Sequence, residues 1–515
     1  MGRWGPRLLA ALALVAHLGL PARASAAACE GGEVPGERLL SVPQRAVLML
    51  ARELPLETKI GQLLMSGFVG TEPDHGLLDR VARGRVGGLL LLGRNVRTED
   101  QVQRLTAQLD EATAASTDGI HPFLATDFEG GLVNALRAVT GNTASAAQLA
   151  ARGVEGVEAQ AEADAAALRW LGFNTNLAPI ADVLTVPSAV IGSRAFSIDA
   201  TAVSALSRAY VRGLKSGGVI GVMKHFPGHG ATIDDSHVML PTVDRSAPEL
   251  HAADLIPYRN AIDAGELEAV MVGHLLVPSL DHAAPTSLSR AVITGTLRDT
   301  LRFDGLVMTD ELKMRAISAT YGVEEAALLA LQAGVDVILA DWTGLEQEAV
   351  FASLVRACHA GQLPAGRLEQ SVARVLRLKL AYGLAGDQLA ARYAAHVTAL
   401  GVPAEPAPDM AGMTGMAGED GMPSEPMPMD GAPVEGMVEG MPAESMPAAG
   451  ETPAPERTPA PTPPPTPRST QPTPTAVSVQ PTPTRPPSIP TMTASPSSTP
   501  PPAATRTATA TRAPS

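Results

Sequence analysis

A (β/α)8 barrel of the TIM type is the α/β fold class that this sequence predicts, and three observations predict it. Between Leu63 and Ala340 eight short runs rich in Val, Ile and Leu recur, each followed by an Ala-rich stretch with helical spacing. Near-continuous apolar runs of this kind mark parallel strands buried on both faces. The body left between two compositionally distinct ends, residues 40–385, has the length of one large barrel. Polar side chains directly follow five of the eight runs: Asp127, Lys224 with His225, His274, Asp310 and Asp341. In a barrel those positions share the C-terminal face of the sheet, where such folds place their sites. A doubly wound open sheet is the runner-up, because it also alternates strands with helices.

Taken in chain order, residues 1–28 read as a signal peptide. Arg3 and Arg7 supply a positive region, Leu8 to Leu20 an apolar stretch, and Ala24-Ser25-Ala26 a small-residue cleavage site. The apolar stretch falls short of the roughly 20 residues that span a bilayer. The expected location is therefore extracytoplasmic: secreted, or membrane-anchored as a lipoprotein through Cys29, which ends the degenerate box Ala26-Ala27-Ala28-Cys29. The predicted strands are Leu63 to Val69, Gly87 to Leu92, Pro122 to Thr126, Phe173 to Ala178, Val219 to Met223, Ala269 to Gly273, Gly305 to Thr309 and Val335 to Ala340.

The rest of the chain cannot share that core. All 16 aromatic residues lie at or before Tyr393, whereas 29 of the 45 prolines lie after position 400. Residues 401–456 hold 11 acidic residues, no Lys or Arg, and nine methionines; residues 457–515 hold five Arg, no acid and Thr-Pro alternation. Neither segment has enough apolar surface to offset chain entropy, so both are predicted to be disordered. The first reads as a flexible spacer in preference to a Cu(I) ligand set. The second reads as an extended stalk suited to a cell wall or to glycosylation.

A net charge of −14 without a basic patch excludes a nucleic-acid binder. The two cysteines, Cys29 and Cys358, make neither a disulfide framework nor a four-ligand zinc site by themselves. The densest polar stretch is Lys224-His225-Phe226-Pro227-Gly228-His229-Gly230, followed by Asp234-Asp235-Ser236-His237. Pro227, Gly228 and Gly230 disfavour a helix, so His225 and His229 lack the geometry of a helical zinc pair, and no metal is predicted. A loop that brings backbone close to a polar ligand fits better, with Lys224 and His225 donating hydrogen bonds. Asp235 beside His237 makes an acid–base unit, since a carboxylate orients an imidazole and favours its protonated form.

Four motifs in order resemble family 3 glycoside hydrolases. They are Asp127-Phe128-Glu129-Gly130-Gly131, Ile191-Gly192-Ser193-Arg194-Ala195-Phe196, the KHFPGHG run with its following DSH, and FDGLVMTDELKM from Phe303 to Met314. The combination of PGHG with DSH is similar to the bacterial β-N-acetylglucosaminidase (β-N-acetylhexosaminidase) branch. The resemblance covers roughly Leu54 to Leu384. It implies Asp310 as the nucleophile and His237, oriented by Asp235, as general acid and base. It also implies that Asp127, Arg194, Lys224 and His225 bind the sugar. The activity so implied is a retaining exo-β-N-acetylglucosaminidase. It would act on terminal β-linked N-acetylglucosamine of muropeptides or chitooligosaccharides through a covalent glycosyl-enzyme, as a monomer and with no cofactor. Two alternatives stay open: a phosphorylase using the same Asp310 and His237, and an inactive wall-attached carbohydrate-binding protein. The sequence departs from the family at Leu132 and Ala135, where relatives carry arginine, and Arg137 lies close enough in sequence to compensate.

Overall fold

The eight predicted runs are the eight strands of one parallel sheet. In the computed structural model, which describes residue 34 and residues 36–114 and 119–401, the strands are β1 (Leu64–Gly67), β2 (Gly88–Leu90), β3 (Phe123–Thr126), β4 (Phe128–Gly130), β5 (Val133–Asn134), β6 (Thr175–Asn176), β7 (Ile220–Phe226), β8 (Ala269–Val272), β9 (Leu306–Thr309) and β10 (Ile338–Ala340). The parallel sheet runs β10-β1-β2-β3-β6-β7-β8-β9. It closes through a parallel bridge between Met308 and Val337, with Thr309 N–H donating to the Val337 carbonyl at 3.0 Å. Closure decides for the barrel over the open sheet. The expectations for the leader, Cys29 and the segments beyond Gly401 lie outside the described residues.

Two features depart from the predicted strands. β4 and β5 form a small antiparallel hairpin that the apolar pattern did not mark. Its turn uses Gly130 and Gly131 at φ 83° and 59°, and a Cβ on Gly130 would stand 2.1 Å from the Ala144 carbonyl oxygen. β7 runs three residues past its predicted end, to Phe226, and its ladder with β8 changes register between Met223 and Phe226. Neighbouring residues on a regular strand face opposite sides. The irregularity lets both Lys224 and His225 reach the same cavity.

The outer helices follow from capped, one-sided sequence. Asp199 caps the helix Ala200–Ser216 by accepting from Ala202 N–H, and Val203, Leu206, Tyr210 and Leu214 bury one stripe against the barrel. At the opposite, N-terminal end of the sheet, polar groups are closed off. Lys379 is fully buried and donates to Gln62 Oε1 (2.7 Å) and the Gly87 carbonyl (2.8 Å); burial without a carboxylate pushes its pKa well down. Asp336 is likewise buried there among Arg298, Arg367 and Arg374. Cys358 is buried on the helix Gly344–His359. Among the described residues, no helix is long and apolar enough to cross a membrane.

Candidate active site

Loops leaving the C-terminal ends of the strands enclose a cavity of about 310 Å³, near the small end of the roughly 300–1,000 Å³ range for ligand pockets. Asp127, Arg194, Lys224, His225, His237 and Asp310 all line it, so six of the seven residues singled out in the sequence converge. The seventh, Asp235, stands behind His237. Its Oδ1 accepts from both the His237 backbone N–H (2.8 Å) and Nδ1 (2.7 Å). This local turn fixes the imidazole and leaves Nε2 for the cavity. The two hydrogen bonds from His237 outweigh partial burial and hold the Asp235 pKa down.

At the base of the cavity charges alternate. Lys224 Nζ donates to Asp127 Oδ1 and Glu129 Oε1, each at 2.6 Å, and Arg194 grips Glu129 through Nε (2.8 Å) and Nη2 (2.9 Å). Burial would raise Glu129, but Lys224 and Arg194 hold it at about 2. The same carboxylates outweigh burial at Lys224 and raise its pKa. Arg194 is thus preset by Glu129, and Lys224 is kept charged where a sugar hydroxyl would accept from it.

Asp310 follows β9. Its Oδ1 accepts from the Glu311 backbone N–H at 2.8 Å, and its own N–H donates to Val272 O at 2.9 Å. Withdrawal from solvent pushes its pKa up, but His225, His274, the Glu311 N–H and Lys224 together bring it down to about 2. It is therefore an anion at neutral pH with a face open to the cavity.

Several groups that organise this constellation escaped the sequence reading. Asp182, fully buried, takes the His225 ring through Oδ2 (2.8 Å) and the His229 backbone N–H through Oδ1 (2.7 Å). It stands four residues beyond the fourth apolar run, inside Ala181-Asp182-Val183, where only its oddness among apolar neighbours marked it. Glu129 lay within a recognised motif without an assigned role. His229 does not face a ligand alone: its ring contacts Thr232 Oγ1 (2.7 Å) and Ser236 Oγ (3.2 Å), and burial pulls its pKa down. His274, a polar strand end, is tied to Ser287 Oγ (2.7 Å) and donates to the Glu311 carbonyl (2.9 Å); it buttresses the Asp310 loop from outside the cavity. Arg137 corrects an expectation. Its guanidinium donates to the Gly131 carbonyl on the exposed side of the hairpin, so it does not enter the cavity in place of an arginine at Ala135. Among the described residues no group of three or more His, Cys, Asp and Glu side chains is arranged to hold a metal ion.

Comparison with known proteins identifies the family. Residues 55–378 match the family model described as the glycosyl hydrolase family 3 N terminal domain. The chain is 38% identical over 334 residues to the β-hexosaminidase LpqI of Mycobacterium tuberculosis, covering 62% of this chain and 82% of that protein. Among solved structures, a family 3 β-N-acetylglucosaminidase from Paenibacillus sp. FPU-7 superposes with TM-score 0.61 at 35% identity, over 67% of this chain and 68% of that one. The structure of M. tuberculosis LpqI superposes with TM-score 0.58 at 34% identity, over 68% and 98%. With the barrel closed and the four motifs gathered at its C-terminal mouth, the chain belongs to family 3 of the glycoside hydrolases, in the bacterial β-N-acetylglucosaminidase branch, and is a hydrolase of O-glycosyl bonds.

Proposed function

We propose that the chain is a retaining exo-β-N-acetylglucosaminidase that removes terminal β-linked N-acetylglucosamine from muropeptides or chitooligosaccharides. The observation that carries this reading is Asp310, an anionic carboxylate open to a cavity that His237 also lines. In the first step an Asp310 oxygen attacks the anomeric carbon. The glycosidic bond breaks, and the leaving oxygen takes the proton from Nε2 of the His237 imidazolium. Asp235 stabilises that imidazolium through Nδ1. In the second step the now neutral Nε2 takes a proton from water, and the resulting hydroxide-like oxygen displaces Asp310 with return of the original anomeric configuration. Lys224, Arg194, Asp127 and His225 hold the sugar hydroxyls and the N-acetyl group while charge develops.

The cavity volume suits one sugar residue, which supports exo action. Every residue invoked comes from one chain, so a monomer suffices. The export-type N-terminal sequence, Arg3 and Arg7 ahead of Leu8 to Leu20, supports an extracytoplasmic location. Turnover of a chromogenic β-N-acetylglucosaminide beside the matching β-glucoside, with proton NMR of the first-formed anomer, tests the reading. Preferred cleavage of the former with the β-anomer appearing first supports it. An α-anomer product would exclude retention, and sugar 1-phosphate formed on adding inorganic phosphate would make the protein a phosphorylase.

A further inference from the structure

The charged groups of the cavity divide by depth and by side. Lys224, Glu129 and Arg194 have side chains only 4%, 4% and 11% exposed, and they belong to the β3, β6 and β7 side of the barrel. The facing strands, β9 and β10, lead into Glu311 and Asp341, which line the same cavity but are only part-buried. The Glu311 carboxyl is pinned by backbone: its Oε1 accepts from Lys313 N–H (3.0 Å) and Asp341 N–H (3.1 Å). Its Oε2 has no hydrogen-bond partner among the described residues.

This wall adjoins the acid–base histidine. The Ser236 carbonyl accepts from Ala316 N–H (3.2 Å), which stitches the loop carrying His237 to the loop carrying Glu311 and the lining residue Met314. The oxygen that leaves must meet His237 Nε2, so the sugar attached to it emerges beside Glu311 and Asp341. No free cation waits there. Of the Lys and Arg side chains, Arg194 and Lys224 line the cavity, both at its base. Arg94 backs Asp341 from outside the cavity, donating to its Oδ1 and to the Phe68 carbonyl (3.0 Å). Lys313 is spent on Glu346 Oε2 and the Asp341 carbonyl, each at 3.1 Å. The charge that His237 carries when protonated is matched by Asp235.

From this pinned carboxyl, with one oxygen unused beside the acid–base loop, we infer that Glu311 is a specificity-determining residue for the leaving sugar, and that it selects chitooligosaccharides over muropeptides. The inference rests on the exo-glycosidase reading above and decides between its two substrate classes. A leaving N-acetylglucosamine has a free hydroxyl at C3, next to the C4 oxygen that leaves, and Glu311 Oε2 accepts from it. N-acetylmuramic acid carries a lactyl ether on that same C3 oxygen. The ether removes the donor and brings a carboxylate, its own or that of the attached peptide, against a wall of Glu311 and Asp341. An unmade hydrogen bond and a facing like charge both count against the muramic acid substrate.

The full-length protein would be assayed on chitobiose, on the disaccharide of N-acetylglucosamine β-1,4-linked to N-acetylmuramic acid, and on 4-nitrophenyl β-N-acetylglucosaminide, whose leaving group has neither the hydroxyl nor the carboxylate. In the parent, kcat/KM for chitobiose is expected to exceed that for the muramic acid disaccharide about ten- to a hundredfold, the range of one hydrogen bond to a charged group. Glu311→Gln keeps the shape, removes the charge and turns the free position into a donor. Its chitobiose kcat/KM, divided by that for the aryl glycoside, should fall about tenfold, and its preference between the two disaccharides should shrink to under about threefold. Equal kcat/KM on the two disaccharides in the parent, or a preference for the muramic acid one, would overturn the inference, and neither result depends on a variant folding. So would a Glu311→Gln protein in which both ratios match the parent. Turnover of the aryl glycoside with no discrimination between the disaccharides sinks this inference alone. Turnover of none of the three sinks the glycosidase reading, and this inference falls with it.

Discussion

Asp310 and Asp336 sit at opposite ends of neighbouring strands, and both are held as anions, yet their surroundings differ in kind. Asp336 precedes β10 at the N-terminal end. It accepts from Arg298 Nη2 (2.6 Å), Arg374 Nη1 (3.3 Å), Ser371 Oγ (2.6 Å) and the Val307 N–H (3.0 Å). Its charge is fully covered, and burial is outweighed chiefly by Arg298, Arg374 and Arg367. Asp310 follows β9 at the C-terminal end with a backbone N–H as its hydrogen-bond donor. Its charge is maintained by groups at a distance, the His225 and His274 rings and Lys224, which leaves its oxygens free. A structural carboxylate has to be ionised and covered, whereas a nucleophile has to be ionised and uncovered. The barrel supplies one condition at each end.

The largest expected effect breaks the uncovered member. Asp310→Ala should lower kcat/KM on a chromogenic β-N-acetylglucosaminide on the order of 10⁴-fold, with the melting temperature shifted by only a few degrees. Retention of more than a tenth of the activity would remove Asp310 from the nucleophile's role. Next comes the covered member. Asp336→Ala leaves Arg298, Arg367 and Arg374 facing one another without their anion, and should cost about 3–5 kcal/mol in urea unfolding. The fraction that folds should keep kcat within about twofold, because Asp336 does not touch the cavity. Equal losses of turnover in both variants would erase the distinction between the two ends. Smaller again, His237→Ala should lower kcat on the order of 10²-fold, with added formate or azide restoring part of it as an external nucleophile. Absence of both the loss and the rescue would place the acid–base group elsewhere.

The same contrast explains what could be read from sequence. The strands were legible because a sheet covered on both faces selects unbroken Val, Ile and Leu, and Leu306–Thr309 or Ala269–Val272 carry that signature in four residues. Polar residues at strand ends stood out against it, which is why Asp127, Lys224, His225 and Asp310 could be named. The hairpin at Phe128–Asn134 could not, since strands of two or three residues have no period and two glycines read only as a turn. Asp182 and Glu129 escaped for a different reason. Their roles are defined by partners 43 residues away at His225 and 65 residues away at Arg194, and no local pattern encodes such a pairing. His274 shows the converse: a polar strand end that resembles a ligand in sequence is consumed by Ser287 and the Glu311 carbonyl. Arg137 was placed by proximity in sequence, and the hairpin turns it away.

The smallest expected effect sharpens the comparison through acid stability. Both carboxylates have folded pKa values below the ordinary aspartate value of about 3.9, Asp310 at about 2. Between those values the unfolded chain binds more protons than the folded one. The stability each anion contributes is therefore complete above about pH 4 and is lost as pH falls towards 2. Replacing either residue by Asn removes one titrating group from that window, so the melting temperature should fall less steeply with pH in each variant than in the parent. The two then separate at pH 7: Asp336→Asn starts from a much lower melting temperature because it loses covered ion pairs, while Asp310→Asn starts close to the parent. An unchanged slope for Asp310→Asn would mean that this carboxyl titrates alike in the folded and unfolded chain. The groups at a distance, His225, His274 and Lys224, would then not be what keeps the uncovered oxygen ready to attack.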